Sequence, residues 1–173
     1  HTRTSGSCPN TSSGSANGKD VVYAVFAQQG DVIDITLNAS FDSVITIADS
    51  CDATTDQVGA CLAGRDTVSN PERLTFVAPN TGDYLIIASA YYSTTTTGTF
   101  TLTVNVDTPT CAPNMALGCS ADGMSVETCD SFGVVRATQC SANGCLNGVC
   151  LPPPGDSCSD ALLLTSGVPV QGN

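Results

Sequence analysis

The chain has 173 residues, ten cysteines and a formal net charge of −11. Five Lys and Arg against sixteen Asp and Glu leave no basic patch for nucleic acid, and an anionic membrane would repel such a surface. No apolar run approaches the ~20 residues of a membrane span, so no membrane insertion is expected.

In chain order, residues 1–18 are rich in Ser, Thr, Gly and Asn and read as loop. From Lys19 to Val106 the signal is β. Residues 31–38 alternate, with Ile33, Ile35 and Leu37 on one side and Asp34, Thr36 and Asn38 on the other. Phe100, Leu102, Val104 and Val106 alternate with Thr101, Thr103 and Asn105 in the same way, and residues 73–78 turn Leu74 and Phe76 inward. Period two with β-branched residues marks half-buried strands. Residues 21–27 and 84–91 are apolar on both faces and read as central strands; residues 43–48 add another. Turn signals separate these runs at Gln29-Gly30-Asp31, Asn70-Pro71-Glu72, 79–83 and Thr97-Gly98, and no stretch keeps a helical period. The expected fold is all-β, an antiparallel, jelly-roll-like β-sandwich. Its expected core is Val22, Tyr23, Ile33, Ile35, Leu37, Ile45, Ile47, Leu74, Phe76, Leu85, Ile87, Phe100, Leu102 and Val104.

Residues 107–110 form a short linker. Six cysteines follow, Cys111, Cys119, Cys129, Cys140, Cys145 and Cys150. So short a stretch with so few large apolar groups needs disulfides to fold, and six cysteines allow fifteen pairings. Cys119 and Cys129 flank a hairpin around Ala121-Asp122-Gly123 and are one candidate pair. The run Pro152-Pro153-Pro154 then favours polyproline II, a semi-rigid spacer of ~3.1 Å per residue.

An even cysteine count in a short chain points to an oxidising, extracellular or cell-surface compartment. There is no Cys-x-x-Cys pair, and His1 is the only histidine, so the usual zinc ligand sets are missing. Cys51 and Cys61 bracket a loop between strands and are expected partners. With the six of the small module paired among themselves, Cys8 and Cys158 are left for each other. A bond from Cys8 to Cys51 or to Cys61 is the outcome that overturns this scheme. Residues 155–173 read as the start of a domain whose remainder opens the chain: joined tail to head, they give a cysteine, two short apolar strands, a polar turn and a second cysteine. The chain is therefore expected to be cut out of phase with its fold. Any targeting segment is expected to lie outside this piece.

Asp20-Val21-Val22-Tyr23, Phe41-Asp42-Ser43-Val44-Ile45, Cys51 with Cys61, residues 81–87 and residues 98–104 together resemble the bacterial pre-peptidase C-terminal domain and its secreted relatives. Relatives of this kind often open with a stretch like residues 156–161 and continue through one like residues 170–173, which here stand at the other end. The resemblance covers residues 155–173 joined to 1–107, out of phase. It implies a small β-sandwich, found as an accessory module of secreted enzymes and in tandem on large surface proteins. Cysteine-rich modules like 111–150 also occur between such domains in bacterial surface proteins. The family has no catalytic residues of its own, so none is carried over.

No Gly-x-Ser-x-Gly, His-Glu-x-x-His or phosphate-binding loop is present, and a terminal His1 is a poor general base. No catalytic residue, cofactor or metal site is assigned, and the protein is expected not to be an enzyme. Asp49, Asp52, Asp56 and Asp66 crowd one region and offer oxygen ligands for calcium, but without EF-hand spacing; solvated turn aspartates are the plainer reading. Residues 93–97 are a Ser/Thr run, read as a polar connection or as a carrier of O-linked sugars. Asn10-Thr11-Ser12 and Asn38-Ala39-Ser40 match the N-glycosylation pattern.

The organisation expected is a sandwich over 1–107 lacking its first strands, a cysteine-rich module over 111–150, and a Pro linker with a donor segment over 151–173. Ala161, Leu162, Leu163, Leu164, Val168 and Val170 would carry the strand contact. Residues 155–173 at ~3.3 Å each reach ~60 Å if extended, enough to span a small domain. The expected partners are neighbouring copies, joined head to tail by strand addition into an extracellular structural fibre, or one period of a giant tandem-repeat surface protein. The alternative is an accessory binding or adhesion module of a secreted multidomain protein, against which stand the absent Trp and the 5% aromatic content.

Overall fold

A computed structural model of the chain describes residues 2–3, 8–11, 20–52, 57–91 and 98–153. The chain divides between Thr108 and Pro109 into two compact units, and no helix occurs among the described residues.

The first unit is an antiparallel β-sandwich. Its strands are β1 (Thr2–Arg3), β2 (Asp20–Ala27), β3 (Val32–Ala39), β4 (Ser43–Ala48), β5 (Cys51–Asp52), β6 (Gln57–Val58), β7 (Cys61–Asp66), β8 (Glu72–Val77), β9 (Gly82–Ala90) and β10 (Phe100–Asp107). One layer is a four-stranded sheet in the order β2-β9-β4-β7, the other a three-stranded sheet in the order β10-β3-β8. The alternation read in β3 sets the register. Leu37 lies opposite Leu102 and Ile35 opposite Val104, while Ile33 faces Phe76 and Ile35 faces Leu74. All these apolar side chains therefore share one face. Across the gap they meet Ile45 and Ile47 of β4 and Tyr84, Ile86 and Ala88 of β9. The outer face of the three-stranded sheet is polar: the Thr75 hydroxyl donates to Asp34 Oδ1 at 2.7 Å, and Arg73 reaches Thr36 Oγ1.

The four-stranded sheet is covered on both faces. A second apolar cluster of Ala48, Val58 and Ile87, with Val22 and Leu85 against it, lies on the face away from the main core. A small sheet in the order β1-β6-β5 supplies Val58. This explains why every residue of β4 is buried. It also corrects the expected core. Val22, Leu85 and Ile87 belong to the second cluster, whereas Tyr84 and Ile86 face the sandwich interior. Strand β9 is central, as read; β2 is instead the outermost strand among the described residues, and its apolar residues meet a cluster on one face and a cleft on the other.

Turn chemistry places the strand ends. Asp31 accepts the Gln28 N–H at 2.8 Å through Oδ2 and the Thr108 hydroxyl at 2.8 Å through Oδ1, so one carboxylate shapes the β2–β3 turn and holds the end of the unit. The Tyr84 hydroxyl donates to Asn80 C=O at 2.6 Å, fixing the turn before β9, and its ring meets Phe76 edge-on with centroids 5.6 Å apart. Between β7 and β8, the buried Glu72 accepts the Thr67 N–H at 2.6 Å and its hydroxyl at 2.8 Å.

The disulfides overturn the expected pairing. Cys8 is bonded to Cys61, with Cα atoms 5.4 Å apart, not to Cys158; Cys61 is accordingly not bonded to Cys51. The reason is local. Cys61 sits opposite Ala48 at the sheet edge, while Cys51 lies opposite Val58 on the small sheet. The segment 8–11 docks on β7 over Gly64, where a Cβ would stand 2.5 Å from Thr11 Cγ2 and 3.1 Å from Cys8 Cβ. Only a glycine lets that segment approach so closely.

The second unit carries β11 (Ala116–Cys119), β12 (Ser125–Cys129) and β13 (Val135–Gln139) in one antiparallel sheet, and β14 (Cys145–Leu146) with β15 (Val149–Cys150) in a hairpin. The bonds are Cys111–Cys129, Cys119–Cys145 and Cys140–Cys150. The hairpin around Ala121-Asp122-Gly123 forms, but the Cys119–Cys129 pair does not. Cys119 lies opposite Val126, three residues short of Cys129, outside the reach of a disulfide. Each turn of this sheet is held by a carboxylate. Asp122 accepts from the Ser120 hydroxyl and the Met124 N–H, which hold its carboxyl below the ordinary value. At Asp130 desolvation opposes ionisation, but the N–H groups of Val134 and Phe132 and the Arg136 guanidinium outweigh it, again depressing the pKa.

Candidate functional site

One side of the sandwich is closed by the connection from β7 to β8. On the other side, β2 and β10 are the outermost strands of their sheets, and among the described residues neither has a partner on its outer edge. Between them lies a cleft of about 440 Å³ lined by Tyr23, Ala24, Val25, Ile86, Phe100, Leu102 and Val104. The register explains this lining. Tyr23 pairs with Ile86 and Val25 with Tyr84, so these point inward together, and the inward residues of β10 face them.

Burial fades toward this cleft. Ile33, Ile35 and Leu37 at the middle of the three-stranded sheet are at most 2% exposed, while Phe100, Leu102 and Val104 are only half-buried. On β2, Tyr23 is 40% exposed. Outermost strands beside a cleft can offer main-chain hydrogen bonds and pockets for alternate side chains, the two components of strand addition. An uncovered edge of this kind is also an association hazard that proteins usually blunt. Among the lining side chains only Tyr23 carries a polar group, its phenol. That suits an apolar strand better than a small ligand, whose pocket normally has several placed polar groups.

The residues expected to carry the strand contact, Ala161, Leu162, Leu163, Leu164, Val168 and Val170, lie outside the described residues, as does Cys158. The start of the spacer is described, and it is fastened to the second unit. Leu151 N–H donates to Gly144 C=O at 2.9 Å, the Ser141 hydroxyl to Leu151 C=O at 2.9 Å, and Asn143 Nδ2 to Pro152 C=O at 2.7 Å. The following segment thus departs from a fixed point.

Among the described residues no three His, Cys, Asp or Glu side chains gather as a metal site. Asp49 accepts the Ser50 hydroxyl at 2.8 Å; Asp56 and the side chain of Asp52 lie outside the described residues, as do His1 and the run 93–97. Asn10 and Asn38 are both exposed. The buried Glu72 lies 4.0 Å from Arg65 Nε and serves the β7–β8 turn.

The fold and this cleft together define an all-β, disulfide-rich class of protein, and four disulfides require an oxidising environment. No protein-family model matches the chain, and a search of curated proteins finds no match either.

Proposed function

We propose that the protein is a structural unit of an extracellular or cell-surface fibre, built by head-to-tail strand addition. Residues 158–170 of one copy enter the cleft between β2 and β10 of the next, with Leu162 and Leu164 pointing inward. The observation that carries this reading is the cleft between β2 and β10, the outermost strands of their sheets among the described residues. Burying two leucine side chains there contributes roughly 3–6 kcal/mol, before the cost of ordering the strand. The stiff Pro152–Pro154 spacer, fastened at its start, favours a neighbouring copy over the same chain. Contacts of this kind are heterologous and make open filaments unless they close a ring. Separate chains and successive periods of one tandem-repeat polypeptide make the same contacts. The likeness to pre-peptidase C-terminal domains belongs to the same proposal: a sandwich without chemistry of its own, set beside a cysteine-rich spacer module.

The test is a full-length L162D/L164D variant followed by sedimentation. Carboxylates driven into a dry cleft are costly, so assembly should be lost while the 109–153 module keeps its disulfides and its fold. Normal assembly of this variant would overturn the reading. An accessory binding module would instead stay monomeric in both forms.

A further inference from the structure

A second groove, of about 470 Å³, lies between the β3–β4 connection (39–43) and the β7–β8 connection (67–70). It shares no lining residue with the cleft between β2 and β10. We infer that this groove binds a neutral saccharide, with one sugar unit seated on the Phe41 ring. The inference does not depend on strand addition.

The two walls of the groove are clasped together. Asn70 Oδ1 accepts the Ala39 N–H at 3.1 Å, and Asn70 Nδ2 donates to the Ala39 C=O. Within the second connection, Glu72 accepts the N–H and the hydroxyl of Thr67, and the Ser69 N–H donates to Thr67 Oγ1 at 3.3 Å. Within the first, the Ser40 N–H donates to the Thr99 C=O at 3.0 Å, and Ser40 Oγ accepts the Thr99 N–H at 3.1 Å. Gly98 permits that approach: a Cβ there would stand 2.5 Å from Ser40 Oγ and 2.7 Å from Phe41 Cδ1. The walls are therefore formed before any ligand arrives, and little ordering cost is left for binding.

The lining chemistry selects the ligand. Ser40 and Ser69 are exposed and carry hydroxyls, groups that both donate and accept, and the exposed Asp42 brings an accepting carboxylate. Sugar hydroxyls have the same dual character, and the C–H face of a sugar suits the ring of Phe41 and the fully exposed Val68. No Lys or Arg lines the groove, so an anion would meet the Asp42 charge without compensation. A single lining carboxylate is too few for calcium, which gathers about six to eight oxygen ligands. A wholly apolar ligand would leave the hydroxyls and the carboxylate unpaired. One ring serves one sugar unit, in keeping with a chain that has no Trp and 5% aromatics.

The experiment is saturation-transfer NMR on the full-length chain. The probes are the methyl glycosides of glucose, galactose, mannose and N-acetylglucosamine, with glucuronate as the charged control. At least one neutral glycoside is expected to bind saturably with a Kd on the order of 1 mM, the scale for a small polar ligand with one ring contact. Glucuronate should bind at least tenfold more weakly. F41A and D42A should each weaken the neutral glycoside tenfold or more. Asp42 is exposed, so D42A reports on the site even where F41A disturbs the fold, and recovery of Cys8–Cys61 peptides checks that the sandwich has formed. No saturable transfer from any of the glycosides at up to about 50 mM, roughly fifty times the expected Kd, would overturn the inference. So would wild-type affinity in D42A, or glucuronate bound as tightly as the neutral glycoside.

Discussion

Tyr23 and Leu102 line one cleft from opposite sheets, Tyr23 on the edge strand β2 and Leu102 on the edge strand β10. Their strands share no backbone pairing. In the sandwich by itself, Tyr23 therefore contributes little, being 40% exposed. In an assembled joint its ring would be covered. Y23A is expected to change the unfolding free energy of an assembly-deficient chain by less than about 1 kcal/mol. The same change should weaken assembly by tenfold or more, the effect of truncating a central aromatic anchor. Denaturant titration and sedimentation measure the two effects separately.

Gly64 sets the approach of segment 8–11 to β7. A methyl group there would collide with Thr11 and crowd Cys8. G64A is expected to destabilise the sandwich by about 1–3 kcal/mol through overpacking, with the Cys8–Cys61 bond still formed. Denaturation of non-reduced protein checks the energy, and non-reduced peptide mapping checks the bond.

Much of this sandwich was legible in the sequence because its three-stranded sheet has one wet face. Ile33, Ile35, Leu37, Phe100, Leu102 and Val104 alternate with polar residues, and all six face inward. The four-stranded sheet was harder to read because it is covered on both faces. Two-sided apolar runs reveal neither facing nor sheet position, so β9 and β2 looked alike although one is central and the other an edge. Strand β7 carries Ala63-Gly64-Arg65-Asp66, without a β-branched residue, and did not announce itself. Asn147-Gly148 did carry a hairpin signal: both residues have positive φ, and they join β14 to β15. The Cys8–Cys61 bond depends on a loop docking over a glycine, which cysteine spacing does not encode. The cleft was equally hidden, since an inward-facing residue reads the same whether or not something covers it.

The Cys119–Cys145 bond ties β11 to β14 and so joins the two small sheets of the second unit. With little apolar core, this unit depends on such staples. C119S/C145S is expected to cost roughly 2–5 kcal/mol and to unfold residues 109–153, leaving the sandwich intact. Amide spectra assigned to each unit give the readout.

Asp122 and Asp130 have pKa values below the ordinary 3.8. Such groups stabilise the folded state above the unfolded value, and that contribution is lost as pH falls through the folded value. The stability of the second unit should therefore hold from neutral pH down to about 5 and decline below about 4. D130N should lower stability near neutrality and flatten the acid decline. Thermal unfolding between pH 7 and 2, followed for the second unit, tests both.

The entry of residues 158–170 into the cleft of a neighbouring copy is tested most directly by electron cryomicroscopy of the native assembled material. The expected map has an added strand between β2 and β10 that continues into a different copy, with Leu162 and Leu164 turned toward Tyr23 and Leu102. An empty cleft at the joints, or a strand that traces back to the same copy, would contradict it.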